Sequence, residues 1–221
     1  MPRFPNYYFE RQSWDSGRVH VAGVDEAGRG AWAGPIVAAA VILPADPGQR
    51  REISLAMNAR GVRVNDSKKL PPEEREIVVD ALLGSPAIVA VAVAGPDEID
   101  QRGIGYVNAA LLREAVRLLR PCPDFVLSDA FDLPDFGRNQ LAIVRGDRRS
   151  KSIALASCVA KVTRDRLMVA LDEEYPGYGF GGHKGYGTAA HRMALAQLGP
   201  SPVHRRSFAP IRVLCVEFPG E

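Results

Sequence analysis

The chain has 221 residues, 46% hydrophobic and 24% charged, a globular composition able to bury a core as one large domain with or without an appendage. Its three cysteines, Cys122, Cys158 and Cys215, are odd in number and form no CxxC pair. That excludes a zinc site or disulfide framework and makes them expected buried apolar residues of a protein in a reducing cytoplasm. No signal-like apolar core opens the chain, and its longest apolar stretch, 35–44, is too short to span a bilayer, so a soluble protein without membrane contact is expected. The net charge of +2 names no partner, but its distribution is uneven. From Arg145 onward 12 Lys/Arg face 7 Asp/Glu, giving +5; before it, 16 against 19 gives −3. A basic C-terminal part suits a polyanionic ligand and equally suits a solvated surface.

Short Val/Ala-rich runs bounded by Gly and Pro predict strands over 19–24 and 36–43, with a connecting loop from Asp25 to Pro35. A helix opened by Pro71-Pro72-Glu73-Glu74 is expected, then a strand over 87–94 and a helix over 107–119, where Leu111, Leu112, Ala115, Leu118 and Leu119 recur at helical spacing. Strands follow over 125–129 and 141–144, then a long buried helix over 152–171 and a final helix over 188–198 behind a Thr cap. Strands separated by helices after an opening strand pair predict an α/β layer structure with a mixed sheet. The Gly- and aromatic-rich region after Tyr175 predicts a small appendage, so the division is 1–175 and 176–221.

Asp25 and Glu26 stand at the end of the first strand, a rigid mount on the rim where α/β sites lie. Adjacent strand residues face opposite sides, so the two can share a metal only if the chain turns at Glu26. Gly28 and Gly30 permit such a turn and let backbone N–H groups approach a ligand; taken alone, a solvated acidic turn is the simpler reading. Gly28-x-Gly30 is not a dinucleotide fingerprint, because a strand follows it instead of a helix. Asp129 ends another strand and could converge with Asp25. Ser157, Lys161 and Asp165 form one polar stripe on an apolar helix, so Lys161 and Asp165 either pair or face a polar site. Ser67, Lys68 and Lys69, just before the helix beginning near Pro71, suit a phosphate grip or a solvated loop. Gly182-His183-Lys184-Gly185-Tyr186 suits contact with a sugar or base.

Together, in this order, these segments resemble ribonuclease HII. The match runs through Gly23-Val24-Asp25-Glu26-Ala27-Gly28-Arg29-Gly30, Asn65 to Leu70, the strand ending at Asp129, Ala160-Lys161-Val162-Thr163-Arg164-Asp165, Gly185-Tyr186-Gly187-Thr188 and His204-Arg205-Arg206-Ser207-Phe208. The resemblance implies a ribonuclease H-like mixed β-sheet flanked by helices, with a small helical C-terminal appendage. It implies that Asp25, Glu26, Asp129 and Asp165 bind two Mg²⁺ or Mn²⁺ ions. It implies that Gly28, Arg29 and Gly30 sense a ribose 2′-OH with help from Tyr186, and that Ser67, Lys68, Lys69, Lys161 and Lys184 contact substrate. The implied substrates are RNA–DNA hybrids and duplex DNA with embedded ribonucleotides, cut 5′ of the ribonucleotide to leave 3′-hydroxyl and 5′-phosphate ends by a monomeric enzyme. Nothing in the sequence specifies a sliding-clamp contact. Two departures stand out: Ala31 where the family usually has proline, and Ala130 where it commonly has glycine.

Overall fold

The computed structural model describes residues 4–62 and 70–217. Ser67, Lys68 and Lys69 lie outside the described residues. Five strands, β1 (Val21–Ala27), β2 (Ile36–Ile42), β3 (Ile88–Ala94), β4 (Phe125–Asp129) and β5 (Gln140–Ile143), form one mixed sheet in the order β3-β2-β1-β4-β5. β1 pairs antiparallel with β2 and parallel with β4, and β5 continues the parallel side. The expected strands and mixed sheet are therefore present. β2 is buried on both faces: Ile36, Ala38, Ala40 and Ile42 join one apolar cluster, and Val37, Ala39 and Val41 join the other. This is why the strand reads as a continuous apolar run and not as an alternation.

The helices are α1 (Tyr8–Asp15), α2 (Pro47–Asn58), α3 (Pro72–Leu83), α4 (Pro96–Arg102), α5 (Ile104–Arg117), α6 (Lys151–Glu174), α7 (Phe180–His183), α8 (Ala189–Leu198) and α9 (Ala209–Glu217). α3, α5, α6 and α8 correspond to the expected helices. α5 covers one face of the sheet with Val107, Leu111, Leu112 and Ala115, while Leu155, Cys158, Val159 and Val162 of α6 cover the other. α6 starts beside β1 because position 23 is glycine; a Cβ there would lie 2.3 Å from the Ser152 carbonyl carbon. The Ser150 side chain caps α6 by accepting from Ile153 N. The buried Glu10 carboxylate of α1 accepts from Ser152 N at 2.8 Å, favourably placed at the positive end of the helix.

Cys158 is buried as expected, but Cys122 is exposed, since Pro121 and Pro123 hold it in a surface turn between α5 and β4. No helix among the described residues is long and apolar enough to cross a membrane. The segments after Tyr175 gather Tyr178, Phe180, Ala194, Leu195 and Ile211 into an apolar cluster that also takes Met168 of α6 and Ala33. This lobe is packed against the sheet layer through the 28–35 loop.

Ala130, just past β4, has φ +60°. A Cβ in the left-handed region costs about 1–2 kcal/mol, and the residue is exposed with no packing to lose. Ala130→Gly should therefore stabilise the protein by roughly 0.5–1 kcal/mol, part of the gain being offset by the greater freedom of glycine in the unfolded chain. A thermal melt that is unchanged or lower would show that the turn is unstrained.

Candidate active site

β1 and β4 run parallel with Val24 beside Ser128, so the next residues, Asp25 and Asp129, emerge at the same end of adjacent strands. The β1–β2 ladder continues to Ala27, which corrects the expectation of a loop starting at Asp25. Gly23 and Ala27 lie on the α6 side of β1, and Asp25 shares their parity. There its Oδ1 accepts from Glu26 N at 2.8 Å, and its carboxylate accepts a hydrogen bond from Ser157 of α6. Asp25 is buried, and its pKa is pushed well above the usual carboxylate value, first by desolvation, then by the negative charge of Glu26, with Asp129 adding to it. Three carboxylates thus feel one another at the strand ends. Asp129 is half-buried, and its Oδ1 accepts from Gly146 N at 2.7 Å.

A cleft of 470 Å³ opens beside this cluster, lined by Glu26, Ala27, Gly28, Arg29, Gly30, Ser157, Lys161 and Tyr186. It brings together a β1 carboxylate, the Gly-Arg-Gly loop, two residues of the α6 stripe and the C-terminal tyrosine, segments that are 160 positions apart at the extremes. A larger hollow of 730 Å³ beside α1 is lined by Tyr7, Tyr8 and Phe9 together with Asn6, Gln12, Arg11, Arg149 and a single carboxylate, Asp15. It has no comparable donor set.

Two buried arginines hold the loops behind the cleft. Arg164 donates to Pro35 O at 2.8 Å, Lys184 O at 2.9 Å and Ala33 O at 3.2 Å, and its guanidinium lies 5.4 Å from the centre of the Tyr186 ring. Arg205 donates to Gly34 O at 3.0 Å and Arg29 O at 3.1 Å. Each planar, multiply donating guanidinium satisfies loop carbonyls that have no sheet partner. Arg29, exposed at the tip of the loop, stacks its guanidinium 4.9 Å from the Phe131 ring centre, beside the Asp129 turn.

Two sequence candidates are placed elsewhere. Asp165 does not join the other carboxylates: it pairs with Lys161 of its own helix and, at 3.1 Å, with Arg75 of α3. It stands eight residues beyond Ser157, about 12 Å along a helix that rises 1.5 Å per residue. The α6 stripe thus serves both purposes, with Ser157 and Lys161 facing the cleft and Asp165 anchoring Lys161 from behind. Burial lowers the pKa of Lys161, and the Asp165 hydrogen bond opposes that. Lys184 donates its ammonium to Gly181 O and does not line the cleft.

The sequence reading passed over Asp147. It lies in the 3-10 turn Gly146–Arg148 that follows β5, 4% exposed and one residue from the amide that caps Asp129. Its signal was a Gly-Asp pair directly beyond a strand that runs parallel to β4.

Among the described residues no three carboxylates, histidines or cysteines form a ready-made metal cage. The cluster still suits a hard divalent cation. Its donors are all carboxylate oxygens, and Asp25, raised in pKa first by desolvation, also feels the negative charges of Glu26 and Asp129. Mg²⁺ is commonly held by one or two carboxylates with several waters and substrate phosphates, not by a closed protein cage.

The sequence model of the ribonuclease HII family matches residues 22–211. A ribonuclease HII of Bacillus licheniformis is 46% identical over 204 residues, 92% of this chain and 75% of that protein. One from Chloroflexus aurantiacus is 45% identical over 94% of each chain. The crystal structure of the ribonuclease H2 from Pyrococcus horikoshii superposes with a TM-score of 0.73 at 27% identity, covering 91% of this chain and 99% of the other. With the mixed sheet, the strand-end carboxylates and this coverage, the chain belongs to the ribonuclease HII family of metal-dependent nucleases and is a ribonuclease H endonuclease acting on RNA–DNA hybrids.

Proposed function

We propose that the protein cuts the phosphodiester on the 5′ side of ribonucleotides, both those embedded in duplex DNA and those of the RNA strand of hybrids, leaving 3′-hydroxyl and 5′-phosphate ends. The observation that carries this reading is the shared cleft, where Glu26, the Gly28-Arg29-Gly30 loop and Tyr186 line one surface. Metal affinity and ribose recognition then act on the same nucleotide. Asp25, Glu26 and Asp129 would hold two Mg²⁺ or Mn²⁺ ions, with Asp147 as the fourth carboxylate in place of Asp165. Bound there, the ions would activate water and stabilise the leaving 3′-oxygen of an in-line displacement.

The protein's own groups account for the rest. Gly30 is exposed and leaves backbone uncovered at the cleft, where an N–H or C=O can pair with the 2′-hydroxyl, which both donates and accepts, while Gly28 lets the loop turn against Arg164. The Tyr186 hydroxyl can complete that pairing while its ring packs on the neighbouring sugar. Lys161, held by Asp165, presents a cation to a substrate phosphate. Arg29 and, from the sequence, Ser67, Lys68 and Lys69 would contact the backbone of the duplex.

The test is cleavage of a duplex with one embedded ribonucleotide, with Mg²⁺, with Mn²⁺ and with chelator. The expected result is a single metal-dependent cut 5′ of the ribonucleotide with a ligatable 5′-phosphate. Cleavage that survives the chelator, or that leaves a cyclic phosphate, would contradict it.

A further inference from the structure

Three of the four histidines in the chain, His183, His191 and His204, lie together in the C-terminal lobe. The rings of His183 and His191 stack with centroids 4.3 Å apart, and His191 Nε2 lies 3.0 Å from His204 Nε2. Backbone partners fix which nitrogen carries each proton. His191 Nδ1 faces Tyr186 O at 3.1 Å, a carbonyl that can only accept, so Nδ1 is the donor and Nε2 the acceptor. His204 Nδ1 accepts from Ser201 N at 2.9 Å, so its Nε2 carries the hydrogen donated to His191. His183 Nδ1 accepts from Gly185 N at 3.2 Å, and its Nε2 donates to Tyr178 O at 2.8 Å. All six ring nitrogens are used, and every assignment is consistent with three neutral rings. Burial, the leading cause, holds both His191 and His204 at a pKa of about 4, so these two remain neutral at physiological pH.

The chain on which this network closes is the one that carries Tyr186. Gly185 N is held by His183, and Gly185 O accepts from Trp32 N at 2.8 Å. Tyr186 N donates to His183 O at 3.0 Å, and Tyr186 O accepts from Thr188 N at 2.7 Å and from His191 Nδ1 at 3.1 Å. The backbone on both sides of Tyr186 is therefore pinned, with imidazole nitrogens holding Gly185 N and Tyr186 O. Trp32 closes the far side, since a Cβ at Gly187 would lie 2.1 Å from its ring. Tyr186 is left 37% exposed toward the cleft with Arg164 behind its ring.

We infer that His191, ordered by His204 and stacked on His183, is a positioning residue that aims Tyr186 at the ribose, and that the donated proton on His191 Nδ1 is the functional element. This rests on the proposed role of Tyr186 and extends it to groups that never touch substrate. A tyrosine held by a flexible glycine loop would sample many orientations. Fixing its backbone removes that freedom before substrate arrives.

The test combines spectroscopy on the unmodified protein with a double-mutant cycle. Long-range ¹H–¹⁵N correlation of the ¹⁵N-histidine-labelled full chain at pH 7 should show His191 neutral as the Nδ1–H tautomer and His204 as Nε2–H. A cationic His191, or its Nε2–H form, overturns the inference. In single-turnover cleavage of a duplex with one ribonucleotide, His191→Ala should slow the rate about tenfold, with affinity for an all-DNA duplex unchanged. His191→Asn, whose amide nitrogen can stand in for Nδ1–H, should recover most of the rate. In a Tyr186→Ala background, His191→Ala should cost nothing further. Equal losses in both backgrounds would mean a general structural role and overturn the inference alone. A Tyr186→Ala enzyme as fast as wild type would instead overturn the ribose-sensing reading, and the inference with it.

Discussion

Asp25→Asn is expected to abolish cleavage while raising the melting temperature. The carboxylate sits buried at the end of β1, and its pKa is raised by desolvation, then by Glu26 and Asp129. A group whose folded pKa lies above its ordinary value of 3.8 binds its proton more tightly in the folded chain. Its contribution to stability is therefore fully present at acid pH and is lost as pH rises through the folded value. Asparagine carries no charge and keeps an oxygen for the Glu26 amide, so the variant escapes that loss. Below about pH 4 the two proteins should melt alike, and the advantage of the variant should grow toward neutrality. Cleavage tells the opposite story, because a neutral amide is a poor ligand for a hard cation and several kcal/mol of transition-state stabilisation go with it. A fall of roughly 10²–10⁴-fold is expected. Calorimetry across pH and cleavage at saturating Mg²⁺ check both halves; a variant that turns over like wild type would remove Asp25 from the metal site.

Gly28→Ala should destabilise the protein as well as inactivate it, whereas Gly30→Ala should spare the fold. Gly28 has φ +93°, and a Cβ there would fall 1.9 Å from Arg164 Nε. The backbone strain costs about 1–2 kcal/mol, but the larger effect is on Arg164. That side chain is fully buried and satisfies Pro35, Ala33 and Lys184 carbonyls. Pushing it aside leaves some of these bare at about 1–3 kcal/mol each. A total of at least about 3 kcal/mol, or a drop of roughly 10 °C for a chain of this size, is expected. At Gly30 a Cβ meets nothing within 4 Å. Gly30→Ala should therefore melt like wild type and lose cleavage only, since its methyl group enters space reserved for the sugar. Equal melting temperatures for Gly28→Ala and wild type would show that Arg164 is not locked against the loop.

The sheet was legible because its strands are Val/Ala-rich runs, as in 36–42, buried on both faces, and in 88–94, at the half-buried edge. α1 and α2 were not, because their sequences are mostly polar and α2 opens with Pro47-Gly48, which reads as a turn. The cleft residues Glu26, Gly28, Arg29, Gly30, Lys161 and Tyr186 were all named from sequence, and the structure gathers them along one surface. Asp165 shows where linear reasoning ran out. The four-residue stripe on α6 is real, but periodicity gives a face and not a distance from β1. The distance depends on where along the helix the strand end falls, which is set at Ser157. Asp147 was invisible for the complementary reason: it reaches the strand ends only through the parallel β4–β5 pairing, a contact between segments that share no sequence pattern. Arg164 and Arg205 were named from sequence only within the resemblance, and their burial depends on the directions of distant loop carbonyls, which no sequence pattern gives.

We propose that the metal-holding carboxylates are Asp25, Glu26, Asp129 and Asp147, and that Asp165 serves to hold Lys161. Single-turnover cleavage of a duplex with one ribonucleotide, at fixed Mg²⁺ and salt, should be measured for Asp147→Asn and Asp165→Asn side by side. A loss of at least roughly 10²-fold is expected for Asp147→Asn and of no more than about tenfold for Asp165→Asn. The reverse order would place the fourth ligand on α6 and contradict the site described above.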